Sequence, residues 1–263
     1  MARSAIINVM VQAAMKAGRS LARDFGEVQN LQVSLKGPGD YVSQADRKAE
    51  EIIHAELSRA RPAYSFLMEE RGAVAGDDDQ HRWIVDPLDG TTNYLHGIPM
   101  FAISIALERQ GQIVAGVIYN PAMDELFTAE RGGGAFMNDR RLRVAARSKL
   151  SDAVITTGIP HLGRGHHGHA LIELKNVMGE AAGIRRFGAA SLDLAYVAAG
   201  RVDGYWERWL SPWDMAAGIL MVKEAGGFCS DITGGQNMID DGTIVAANEP
   251  VHRQLLRMLE KKS

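Results

Sequence analysis

Trp83-Ile84-Val85-Asp86-Pro87-Leu88-Asp89-Gly90-Thr91-Thr92-Asn93-Tyr94 carries the densest chemistry in this chain. Trp83 to Val85 form a short apolar strand that delivers two carboxylates at i and i+3. Pro87 fixes the turn between them, and Gly90 allows a tight bend with close backbone approach. If a helix follows, Gly90, Thr91 and Thr92 offer free N–H groups at its N-terminus, which is an anion site. Carboxylates beside such donors fit a cation that joins them to phosphate. Hard cations such as Mg²⁺ take oxygen ligands and share them with substrate phosphate. The same residues also read as an Asx-rich turn.

The flanking sequence gives the frame. Ile6, Met10, Ala14 and Leu21 recur as one helical face, so the N-terminus reads as a core-docked helix rather than a leader. A second helix starts near Ser43, with Ala45, Ala49, Ile52, Ile53, Leu57 and Ala60 on its apolar stripe, and Pro62 ends it. Gly37-Pro38-Gly39 between them is a turn or mobile loop. Ser65 to Leu67 is a short strand running into Glu69-Glu70, and Asp77-Asp78-Asp79 reads as a loop. From Met100, three strand-like runs with short turns imply an antiparallel meander. After residue 145 strands and helices alternate, ending in a helix from Pro250 with Asn248 or Glu249 near its cap. The sum is layered sheets and helices.

Composition narrows the class. The 263 residues are 46% hydrophobic and 23% charged, as expected of a globular protein with a sizeable core. A net charge of −3 argues against a chain whose main task is to coat nucleic acid or an anionic membrane. No apolar run reaches membrane-span length. The single cysteine, Cys229, allows no internal disulfide and fits a reducing cytoplasm. Asp-x-x-Asp departs from the Asp-x-Asp of haloacid-dehalogenase-type phosphatases, and no Gly-x-x-x-x-Gly-Lys-Ser/Thr loop occurs.

Residues 83–94 resemble the first signature of the inositol monophosphatase family. Trp213-Asp214-Met215-Ala216-Ala217-Gly218, continued by Glu224-Ala225-Gly226-Gly227, is similar to the second. Glu69-Glu70 in Ser65-Phe66-Leu67-Met68-Glu69-Glu70 matches the upstream acidic pair. The resemblance implies one inositol monophosphatase-like domain over 1–263, an α+β layered sandwich (αβαβα). Its N-terminal half, about 1–145, would hold the first metal motif and the meander. Its C-terminal half, about 146–263, would hold the second metal motif.

By the same resemblance, Glu69, Asp86 and the Leu88 carbonyl hold one Mg²⁺, and Asp86, Asp89 and Asp214 a second. Glu69 touches a weaker third ion through water. Thr91 orients the attacking water, supported by Asp46. Asp89, Gly90, Thr91, Thr92 and Asp214 also contact the substrate. Gly188, Ala190 and Glu207 meet its alcohol half, and Lys36 sits on a mobile loop. The implied reaction is Mg²⁺-dependent hydrolysis of myo-inositol 1-phosphate, sensitive to Li⁺, in a cytoplasmic homodimer. Fructose bisphosphate, an adenosine bisphosphate and histidinol phosphate are alternative substrates, and partner binding in a transcription complex is an alternative or additional role. No direct nucleic-acid or membrane contact is expected.

Several positions have a plain structural reading as well. Ser43-x-x-Asp46 and Ser211-x-x-Asp214 are capping boxes, the latter with Pro212 at the first helical position. Glu69 fits a solvated strand end, and Glu207 an outward position paired with Arg208 or Arg185. Gly163-Arg164-Gly165-His166-His167-Gly168 matches Gly-x-Gly-x-x-Gly but lacks the strand directly before it. His161, His166, His167 and His169 read as a solvated stretch, and Arg185-Arg186 as a solvated strand face.

Overall fold

The computed structural model describes residues 3–25, 33–37, 40–161 and 165–261, with backbone alone for 33–37 and 40–43. Helix α1 (Ala5–Phe25) buries Ile7, Met10, Ala14, Ala17 and Leu21 on one face. Helix α2 (Gln44–Ala60) buries Ala45, Ala49, Ile53 and Leu57. Between them β1 (Val33–Gly37) and β2 (Asp40–Ser43) pair antiparallel. Lys36 lies on β1 of this pair, and Pro38 and Gly39 lie outside the described residues.

The large sheet holds β3 (Tyr64–Met68), β4 (Gly72–Val74), β5 (Asp78–Asp89), β6 (Ala102–Arg109), β7 (Gln112–Asn120), β8 (Glu125–Glu130), β9 (Gly134–Met137) and β10 (Arg140–Arg141). Its spatial order is β10-β9-β8-β7-β6-β5-β3-β4. From β5 to β10 every neighbour is antiparallel, the meander expected from the short turns. The strand expected over 83–85 is longer. It begins at Asp78, which pairs with Tyr64, so the loop expected at Asp77 to Asp79 gives way to a strand start. Long-range pairing of His81 with Arg109 and Arg82 with Glu108 extends this polar end of the strand.

The second sheet holds β11 (Val154–Thr157), β12 (Gly183–Arg185), β13 (Gly204–Arg208), β14 (Phe228–Ser230) and β15 (Thr243–Ala247), ordered β12-β11-β13-β15-β14. The remaining helices are α3 (Thr91–Leu95), α4 (His167–Met178), α5 (Ala190–Ala198), α6 (Pro212–Glu224), α7 (Met238–Asp241) and α8 (Glu249–Leu259). Asn248 caps α8 by accepting from the Val251 N–H at 3.0 Å.

Side-chain alternation builds the layers. Trp83 and Val85 of β5 join the cluster made with α1 and α2, while Ile84 between them joins the cluster made with α5 and α6. α6 is buried from Met215 to Val222 without a polar face, as befits a helix between two sheets. The α5 and α6 pair contacts both sheets, and α8 covers the outer face of the small sheet beside α4. The architecture is the expected αβαβα sandwich. Among the described residues no helix is long and apolar enough to cross a membrane.

Candidate active site

The acidic motif sits where β5 leaves the large sheet. A regular strand would point residues i and i+3 to opposite faces. Here Asp86 pairs with Ser104 and Asp89 with Ala102, so three steps on β5 oppose two on β6. This bulge restores the phase and turns both carboxylates toward the α6 side. Asp86 accepts the Leu88 N–H at 2.9 Å, which tightens the turn around Pro87. Gly90 follows with φ 88°, and a Cβ there would come within 2.8 Å of the Met100 carbonyl, so the position requires glycine. α3 then starts at Thr91, and the Thr91 hydroxyl donates to the Leu88 carbonyl at 3.1 Å.

Topology brings the other acids to this point. β3 runs parallel to β5, so the two strands emerge side by side, and the Glu69 N–H donates to the Val85 carbonyl at 3.2 Å. Buried Glu50 of α2 accepts the Glu70 N–H at 2.9 Å and pairs with Arg71 at 3.2 Å, bracing that acidic turn. Ser104, opposite Asp86, donates to the Trp213 carbonyl at 3.1 Å and so fixes the first turn of α6 beside β5. Asp214 lies in that turn, accepting the Ser211 N–H at 2.7 Å. It thus performs the capping role while lining the cleft.

The electrostatics record how close these groups are. Burial, then the charges of Glu69, Asp89 and Asp214, push Asp86 well above the usual carboxylate range. Burial and Asp89 raise Asp214, with Glu69 and Glu207 adding to the effect. Burial also raises Asp89, against hydrogen bonds from Ser191 and Ala190 and the charge of Arg186. Three buried acids that resist ionisation, with the charge of Glu69 beside them, are a strong attractor for a cation. Among the described residues, no three His, Cys, Asp or Glu side chains form a ready-made metal cage. Mg²⁺ does not require one, because it keeps several waters and shares carboxylates with substrate phosphate.

A cleft of about 430 Å³ gathers Glu69, Asp86, Leu88, Asp89, Gly90, Thr91, Thr92, Gly188, Ala190, Glu207 and Asp214. Asp46 is buried in the first turn of α2, where its charge adds to burial and to Asp24 in raising the Tyr94 phenol, and it does not line the cleft. Glu207 is not paired with Arg208 or Arg185. It accepts the Tyr205 hydroxyl at 2.5 Å, and burial pushes its pKa up to about 7. Arg208 instead holds Glu173 of α4 at 2.7 Å.

A sequence profile of the inositol monophosphatase family matches residues 2–263. The chain belongs to the inositol monophosphatase family. It is 77% identical over 261 residues to the inositol-1-monophosphatase of Mesorhizobium japonicum, covering 99% of this chain and 98% of that protein. It is 42% identical over 251 residues to a protein of Escherichia coli K12 called Nus factor SuhB, covering 95% and 94%. The crystal structure of extragenic suppressor protein SuhB from Bartonella henselae superposes with a TM-score of 0.96 at 69% identity, covering 99% and 100%. An inositol monophosphatase from Anabaena superposes with a TM-score of 0.86 at 37% identity, covering 97% and 94%. The family is one of phosphatases, and this chain is an enzyme of that kind.

Other residues in and around this cleft escape a reading of the motifs. Ser191 donates its N–H and hydroxyl to Asp89. Asn93, inside the first motif, donates to the Met100 and Phe187 carbonyls at 2.7 and 2.8 Å and so docks the Gly188 loop against α3. Arg186, expected on a solvated strand face, lies just past β12 and lines the cleft. Asp193 of α5 is buried and is raised by burial and by Glu207. His161 and His167 line the outer cleft, whereas Gly163 and Arg164 lie outside the described residues.

Proposed function

We propose that this protein hydrolyses a small phosphate monoester, myo-inositol 1-phosphate, with two to three Mg²⁺ ions per site. The observation that carries the proposal is the convergence of Glu69, Asp86, Asp89 and Asp214 from three separate motifs in one cleft. The name of the Mesorhizobium relative supports the substrate. Glu69, Asp86 and the Leu88 carbonyl would hold one ion, and Asp86, Asp89 and Asp214 another. When bound, Mg²⁺ supplies Lewis acidity toward water, phosphoryl oxygens and the leaving alcohol. Gly90, Thr91 and Thr92 orient the phosphate through N–H dipoles. The Thr91 hydroxyl, held by the Leu88 carbonyl, orients the attacking water, with Asp46 behind it. Gly188, Ala190 and Glu207 receive the polyol.

The test is phosphate release from a panel of inositol, sugar and nucleotide phosphates, with and without Mg²⁺. Asp86→Asn should lower the rate by roughly 10² or more. Full turnover in excess chelator overturns the metal reading. Millimolar Li⁺ at low Mg²⁺ should inhibit. Light scattering should give a homodimer, and cell fractionation a cytoplasmic protein.

A second role is partner binding in a transcription complex, favoured by the name of the Escherichia coli relative. A pull-down with Asp86→Asn separates it from catalysis. A partner retained by the inactive variant supports the second role.

A further inference from the structure

The lining of the cleft is of two kinds. One is the acids with Glu207. The other is an apolar part of the wall, Ile159, Leu171 and Trp209, which are 42%, 62% and 46% exposed. Large exposed apolar side chains are ordinary when scattered singly. Here three of them line one cleft that also holds the phosphate motif, and that grouping marks a binding surface.

Trp209 is the sharpest feature of this wall. It adopts φ 62°, a left-handed conformation that a bulky residue rarely takes. Its neighbours on both sides are fixed. The Arg208 guanidinium donates to Glu173 at 2.8 Å, and the Leu210 N–H donates to the Gly242 carbonyl at 2.9 Å. The indole packs so closely on Gly165 that a Cβ there would lie 2.5 Å from the ring, and the His166 ring stands 6.3 Å away. Such strain persists only where the surroundings over-determine it, and it clusters at ligand sites. The result is a half-exposed indole held in a fixed place in the cleft lining.

We propose that Trp209, with Ile159 and Leu171, forms a specificity surface for phosphate esters whose alcohol carries a flat, uncharged aromatic group. This rests on the phosphatase reading of the same cleft and adds to the polyol a second class of leaving alcohol. Continuity with the phosphate site identifies the occupant as the leaving alcohol. The wall offers aromatic and aliphatic contact, and its Glu173 is already matched by Arg208. An aromatic ring stacks on indole and gains from both.

The experiment compares kcat/KM for 1-naphthyl phosphate and glycerol 2-phosphate in wild type, Trp209→Gly, Trp209→Phe and Leu171→Ser. Glycine suits the left-handed backbone, so Trp209→Gly removes the ring without adding strain. Its naphthyl-to-glycerol ratio should fall roughly tenfold through a higher KM for the aryl ester, as expected for loss of a stacking platform. Trp209→Phe should restore most of the ratio, and Leu171→Ser should lower it by a smaller factor. An unchanged ratio in Trp209→Gly overturns the proposal. If no ester is hydrolysed by wild type, the phosphatase reading fails on its own. Fluorescence quenching by 1-naphthol then decides the surface. Quenching lost in Trp209→Phe together with weaker naphthol binding by Trp209→Gly in calorimetry supports it, and equal binding by all variants overturns it.

Discussion

Ser191, at the start of α5, closes on Asp89 of the bulged strand, its N–H and hydroxyl both donating to Oδ2 at 2.7 and 2.5 Å. α5 has no side-chain cap of its own at Ala189. Asp89 therefore serves as a cap supplied from another element, and α5 in turn fixes the carboxylate's orientation. This reciprocity ties the helix between the sheets to the acidic motif.

Ser191→Ala keeps the N–H but deletes the hydroxyl. Partners that orient a metal-ligating carboxylate typically contribute 10–100-fold in affinity or activity. The variant should need roughly 10–100-fold more Mg²⁺ for half-maximal rate. Titration of activity and of melting temperature with Mg²⁺ measures it. An unchanged Mg²⁺ response would make Ser191 purely a helix-start residue.

Asp214→Asn separates capping from ligation. Asn retains an acceptor for the Ser211 N–H, now 2.7 Å from Oδ2. Without metal, the charges of Asp89, Glu69 and Glu207 oppose Asp214, so removing its charge should leave the melting temperature unchanged or raised. Stabilisation by saturating Mg²⁺, about 2.7 kcal/mol at a hundredfold excess over Kd, should shrink, and most activity should be lost. A variant that melts much lower without metal yet keeps wild-type Mg²⁺ response and turnover shows that Asp214 only caps.

The motifs were legible because their chemistry is local: Asp-Pro-Leu-Asp-Gly needs only its own turn, and Ser-Pro-Trp-Asp its own helix start. The meander was legible because its turns are short. What escaped depends on distant partners. The bulge that puts Asp86 and Asp89 on one face is defined against Ser104 and Ala102 of β6. Arg186 reads as a solvated base until the strand order turns it into the cleft. Glu50 lies on the buried face of α2 and reads as an ordinary helical acid, yet it braces Glu70. The strand from Phe228 to Ser230 has only three residues and gains its identity by pairing with β15.

Glu207 should act on substrate hydroxyls. Its Oε2 accepts the Tyr205 hydroxyl, and a Cβ on Gly158 would come within 1.8 Å of its carboxyl carbon and Oε1, so glycine at 158 leaves room for the carboxyl. At pH 8, above its raised pKa of about 7, the group is mostly charged. A hydroxyl bonded to a charged group contributes about 1.5–3 kcal/mol, hence roughly tenfold to a hundredfold. Glu207→Ala should lower kcat/KM for myo-inositol 1-phosphate by that much more than for 4-nitrophenyl phosphate. Equal losses on both esters would make Glu207 structural.

His252 provides a stability test away from the cleft. It is buried on α8 with Nε2 2.9 Å from the Ser230 hydroxyl, and burial holds its pKa below the ordinary 6.5. The folded state therefore keeps this ring neutral at pH values where the unfolded chain has already protonated it. Below pH 6.5 the unfolded state binds more protons, so stability rises with pH in that window. The contribution is fully present above pH 6.5 and is lost as pH falls toward the depressed folded value. One proton sets a ceiling of about 1.4 kcal/mol per pH unit. His252→Gln keeps a hydrogen-bonding side chain but cannot titrate. Urea unfolding at pH 7.5 and 5.5 should show a larger loss for wild type than for the variant, and equal losses would mean that His252 protonates alike in both states.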